Sequence, residues 1–265
     1  MRFLPAALFL LLLPALAQAH SLTKDARWSG DVRVRGQLVV GPGVKLTIEP
    51  GTTVRFMPGK LDEEGLAECG ILVKGTIVAD GRPGARIRFT SGSDSPQPGD
   101  WGEIKLIASS GSSFKDCDFR YGGWGLHIHD SEIKIEGCTF TRNSYGGVRG
   151  KGGKVELTGC TMKGMELGVR FWQGSPSIRH NEITGNETGI FCREECGGTS
   201  ISFNNIYGNS DYDIKLGEAQ KEDIDARNNW WGGGSPKVYD RKREGYIGRV
   251  ITGPALKDRV NIEAK

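Results

Sequence analysis

The chain has 265 residues, with 35 Lys+Arg against 32 Asp+Glu for a formal net charge of +3, and it is 37% hydrophobic and 25% charged. That balance excludes a disordered polyelectrolyte and a nucleic-acid binder driven by bulk charge. Forty Gly beside only 4 Met, a glycine usage roughly twice the average, describe a chain that turns often rather than a helical bundle.

Residues 1–19 read as a signal peptide. Arg2 opens it, Phe3 to Leu16 form an apolar stretch, and Ala17-Gln18-Ala19 has the small-x-small form of a cleavage site, so the mature chain is expected to start at His20. Pro5 and Pro14 interrupt the run, which is too short to span a membrane, and no later segment is long and apolar enough to do so. The expectation is an exported protein, periplasmic or extracellular, with no membrane span, no nucleic-acid partner and a monomeric state. Export makes its cysteines candidates for oxidation, and Cys192 and Cys196 form the one local disulfide candidate. Asn186-Glu187-Thr188 is a glycosylation sequon where the host glycosylates.

Cys117, Cys138 and Cys160 are spaced by 21 and 22 residues, and the same column continues as Asn181, Asn204 and Asn228. Two residues on stand Phe119, Phe140, Met162, Ile183, Ile206 and Trp230; three residues before stand Phe114, Ile135, Leu157, Ile178 and Ile201. A further column is Leu126, Val148, Val169, Ile190 and Ile214. Between columns the pattern alternates with period two, as in Ser131-Glu132-Ile133-Lys134-Ile135, which reads as strand. Asn143, Asn186 and Asn209 fall five residues after the Cys/Asn column and are expected to take left-handed turns. Strands repeating every 21 to 24 residues, without the closely spaced leucines of leucine-rich repeats, predict an all-β, single-stranded parallel β-helix: a solenoid whose coils stack about 4.8 Å apart. Its expected extent is 20–236, with irregular early coils, loops at Leu61–Glu64 and Gly92–Gly99, and a capping segment over 237–265.

Leu46-Thr47-Ile48-Glu49-Pro50-Gly51-Thr52-Thr53-Val54-Arg55-Phe56 resembles the opening coil of exported right-handed parallel β-helix proteins. So do Leu72–Ile77, Ile87–Ser91 and Gly99-Asp100-Trp101-Gly102, while Asn228-Asn229-Trp230-Trp231-Gly232 is similar to their final coil. The resemblance is to the pectin-lyase-like superfamily and the NosD-like periplasmic proteins. It implies the right hand of the helix and a choice of activities: lyases, hydrolases, epimerases, adhesins and accessory proteins share this scaffold.

Alternation turns one row outward, His127, Arg149, Arg170, Phe191 and Lys215, and beside it a second, His129, Lys151, Trp172 and Arg193. Such a strip matches a linear anionic polymer, cations pairing with carboxylates while Trp172 or Phe191 stacks on a sugar face. The leading expectation is therefore non-catalytic binding of an acidic polysaccharide or cell-envelope glycan through His127, His129, Arg149, Lys151, Arg170, Trp172, Arg193 and Lys215, with no cofactor. One alternative is a lyase or epimerase acting on a uronate, with His129 or Arg170 as candidate base. His129-Asp130 matches two positions of the Asp-Pro-His-Asp site of mannuronan epimerases, whereas the carboxylate set of polygalacturonases is absent. The other alternative is a periplasmic copper-handling accessory protein, with His127 and His129 on one strand face and His20 at the mature terminus as metal candidates. The NosD-like resemblance, through its association with copper-site maturation, implies the same reading.

Overall fold

A coil whose strands alternate apolar and polar residues buries its apolar set only when another coil lies against it. In the computed structural model, which describes residues 15–17 (backbone alone), 21–63, 65–240 and 248–262, coil stacks on coil throughout. Three sheets of nine, ten and ten strands run the length of the molecule, giving a solenoid of about ten turns. One coil shows the plan: Cys117–Arg120 joins the first sheet, Trp124–His129 the second and Glu132–Glu136 the third. Pairing is parallel and follows the columns read from the sequence, as in Leu126↔Val148, Val148↔Val169, Val169↔Ile190 and Ile190↔Ile214. This is the all-β parallel β-helix that the spacing predicts.

Residues 1–19, expected to be a signal peptide, and His20 lie outside the described residues, apart from Ala15–Ala17, whose backbone pairs with Asp31–Val34. At the other end, Val238–Tyr239 and Val250–Ile251 still pair with Tyr212–Leu216 and Ile224–Asp225, so the boundary expected at 236 falls within the last coil. No helix among the described residues is long and apolar enough to cross a membrane.

Inside, like residues stack. Phe89, Phe119 and Phe140 lie ring over ring with centroids 4.8 and 4.7 Å apart, and Met162, Ile183 and Ile206 continue the column. Each such side chain contributes about 1.5–3 kcal/mol on full burial.

The Cys/Asn column becomes a hydrogen-bonded ladder along the axis. Asn181 Oδ1 accepts from the Cys160 amide at 2.9 Å, and Asn204 Oδ1 accepts from the Asn181 amide at 2.9 Å. The ladder ends on Asn229, not Asn228: Asn229 Oδ1 accepts from the Asn204 amide at 2.9 Å and Trp231, not Trp230, is the buried ring. That coil is two residues longer than the one before it, and Asn228, at φ 59°, takes the left-handed place that Asp116, Gly137, Gly159, His180 and Phe203 take before the other ladder residues. Asn143, Asn186 and Asn209 also differ from expectation. The left-handed residues are their predecessors Arg142, Gly185 and Gly208. The asparagines themselves are buried, with Asn209 Oδ1 accepting from the Asn186 amide at 3.1 Å. All six cysteines, including the disulfide candidates Cys192 and Cys196, are buried thiols.

Candidate functional site

The second sheet carries both outward rows in register. Lys105 pairs with His127, His127 with Arg149, Arg149 with Arg170, Arg170 with Phe191, Phe191 with Lys215 and Lys215 with Tyr239. The neighbouring row runs from His129 to Lys151, Trp172 and Arg193. The sequence therefore placed these residues together, and the structure extends the first row by Lys105 and Tyr239. At its head a hollow of about 410 Å³ opens between Lys105, Glu103 and the insert residues Asp62, Leu66 and Glu68.

What the sequence reading missed is Glu103. It stands one residue before the strand Ile104–Ile107, outside both rows, yet its carboxylate reaches across two coils. Oε1 lies 2.7 Å from His127 Nδ1, and Oε2 lies 2.8 Å from Arg149 Nη2 and 3.2 Å from its Nε. Burial opposes its ionisation, but the hydrogen bond from His127 and the charge of Arg149 outweigh that and hold its pKa below the ordinary range.

His127, expected to face solvent, is only 4% exposed. Burial lowers its pKa to about 4 in spite of Glu103, so the ring is neutral near pH 7. An ionised carboxylate only accepts, so His127 donates from Nδ1, and its Nε2 accepts from Nε2–H of His129 at 2.5 Å. Burial, followed by the charge of Lys105, lowers the His129 pKa as well. Arg149 is likewise no free cation: its side chain is 12% exposed, paired with Glu103 and set 5.4 Å over the Trp124 ring.

Arg170, one rung further on, has the opposite surroundings. Its guanidinium carbon lies 5.3 Å from the Trp172 ring centre and 5.7 Å from that of Phe191. Its Nε is buried without a hydrogen-bond partner. Burial, then repulsion from Arg193 and Arg149, lowers its pKa. Lys215 sits among the Phe191, Tyr212 and Tyr239 rings at 5.5, 5.7 and 5.7 Å. Arg193 pairs with Glu194, while its Nε is buried without a partner.

For metal, the strip offers only the two imidazoles. They are hydrogen-bonded to each other, and no cluster of three or more His, Cys, Asp or Glu among the described residues is placed to hold an ion. His180 lies on a different corner, stacked on Phe203 with centroids 5.5 Å apart.

Fold and strip together define a parallel β-helix with one cationic, aromatic outer face. Residues 102–230 match the family model described as right handed beta helix region, which gives the hand of the solenoid and spans the coils that carry the strip. Comparison with curated proteins and with solved structures returned no match.

Proposed function

We propose that this is an exported, non-catalytic β-helix protein that binds an acidic polysaccharide along the second sheet. The observation that carries the reading is Arg170: a half-buried guanidinium between two aromatic rings, beside further cations, with Glu166 and Glu194 acting on it only from a distance and an Nε that has no hydrogen-bond partner among the described residues. Leaving a buried donor unpaired is costly, and a uronate carboxylate or sulfate would satisfy it while the sugar face lies on Trp172. Lys151 and Lys215 supply further contacts on neighbouring rungs, spaced about 4.8 Å apart, close to the advance of one sugar residue.

The test is retention of the protein on acidic and neutral polysaccharides at low and high salt. Acidic polymers should retain it in a salt-sensitive way, and Arg170→Gln should weaken that retention about tenfold. Lys134→Gln, on the exposed face of the third sheet, should not. Loss of the reading would follow from no retention by any acidic polymer, or from equal effects of the two substitutions.

A second reading, elimination or epimerisation at a uronate, draws support from His129. A neutral imidazole beside cations that would neutralise the substrate carboxylate is a competent base. Unsaturated or epimerised sugars after prolonged incubation, lost in His129→Ala, would establish it; intact polymer would dismiss it.

A further inference from the structure

We propose that Glu103 sets the charge density of the polysaccharide accepted by the strip, selecting a mixed polymer in which neutral sugars separate the acidic ones over a homopolymer of uronates. The inference rests on the glycan-binding reading and concerns which acidic glycan is bound.

The rows contain many basic residues, but their charge is not uniform along the axis. Lys105, Lys151, Arg170 and Lys215 form no direct ion pair among the described residues, although Glu166 and Glu194 act on Arg170 from a distance. Arg149 is held by Glu103 through two contacts and Arg193 is held by Glu194. Taken coil by coil, Lys105 is followed by the imidazole rung of His127 and His129. Next come Lys151 beside the compensated Arg149, then Arg170 beside Trp172, then Phe191 beside the compensated Arg193, then Lys215. The imidazole rung and the Phe191 rung present no uncompensated charge. They offer instead hydrogen-bonding nitrogen and an aromatic face, which suit hydroxyls, acetamido groups and the apolar side of a neutral pyranose.

A polymer advancing about one sugar per rung and carrying a carboxylate on each would place carboxylates on both rungs without a free cation, one of them the imidazole rung against Glu103. Desolvating an anion there is unfavourable, and a second carboxylate close by adds repulsion. Specificity built by an element that repels the wrong ligand is a general device. Glu103 has the position for it, with its carboxylate 12% exposed at the head of the groove. Because it is anchored by His127 on one oxygen and Arg149 on the other, it cannot swing away to admit a competing anion without giving up both of these contacts.

The experiment compares two polymers of matched length, one with a uronate at every residue and one in which a neutral sugar follows each pair of uronates, matching the two rungs without a free cation. Binding is measured with wild type, Glu103→Gln and Arg149→Gln. Wild type is expected to bind this mixed polymer at least as tightly as the homouronate, although the latter carries more charge. Glu103→Gln removes one negative charge from the strip and should improve homouronate binding about tenfold while improving the mixed polymer less. Arg149→Gln changes the charge in the opposite direction and should shift the ratio the other way, so the inference remains testable if one variant does not fold. A wild-type preference for the homouronate in proportion to its charge, or a ratio unmoved in both folded variants, would overturn the role of Glu103 while leaving the glycan reading in place. Retention of neither polymer by wild type would remove the glycan reading itself, and this inference with it.

Discussion

Arg149 and Arg170 occupy one column, one rung apart, and a sequence pattern gives them the same role. Their surroundings separate them: Arg149 is compensated by Glu103, and Arg170 is desolvated beside other cations. The same carboxylate faces His127, whose pKa nevertheless falls from 6.5 to about 4 on folding because burial outweighs the attraction of Glu103. The unfolded chain therefore takes up this proton at higher pH than the folded one, so stability falls as pH drops below 6.5 and the loss is complete below about 4. A depression of that size is worth on the order of 3 kcal/mol. Denaturant unfolding across pH 4 to 7 should show this slope in wild type and a flatter one in His127→Gln. Parallel curves would mean that His127 does not carry the acid sensitivity.

At the level of the strand and its ladder, the sequence was informative because a solenoid repeats its constraints in register. The columns through Phe114, Phe119 and Leu126 pair as their spacing requires. Legibility failed where a coil changes length. Asn228 and Asn229 are chemically identical, and only the left-handed backbone at 228 decides which of them enters the ladder. It failed also at Glu103, because that side chain reaches its partners from a strand lying before the columns begin and at a position outside the alternating rows. The ladder itself carries a strong expectation. Asn204 is fully buried, donates to the Ile178 carbonyl at 2.9 Å and accepts from the Asn181 amide at 2.9 Å. Asn204→Ala strands both groups away from water and should cost about 2–5 kcal/mol, each unsatisfied group contributing roughly 1–3. Ser substitution at the half-buried Asn228 turn, outside the ladder, should cost far less. Comparable melting temperatures for the two variants would show that the amide ladder is not a principal source of stability.

Across the whole molecule, pairing runs from each coil to its neighbours, so the strip follows the stack and its ends are the places where pairing must stop. Cover at the carboxyl end comes from a segment with no repeat signature, which is why the spacing argument could assign it a capping role but not a path. The path is specific. Leu256 donates its amide to the Asn229 carbonyl at 3.0 Å, closing the amide ladder. Val260 exchanges backbone hydrogen bonds of 2.8 and 2.9 Å with the Asn205 side chain, and Arg259 reaches Glu182 at 2.7 Å on the coil before. Glu182 and Asn205 are otherwise buried polar groups, so this tail satisfies groups that would be left facing a bare surface. In a solenoid governed by nearest-neighbour contacts, deleting residues 254–265 should loosen the last two or three coils and leave the central ones intact. Hydrogen exchange should then accelerate at the amides of Asn205–Tyr207 and Tyr212–Leu216, while those of Trp124–His129 keep their protection and the melting temperature falls by a few degrees. Uniform acceleration along the chain would show instead that the solenoid unfolds as a single cooperative unit. In that case the tail stabilises the distant strip as much as the coils it touches.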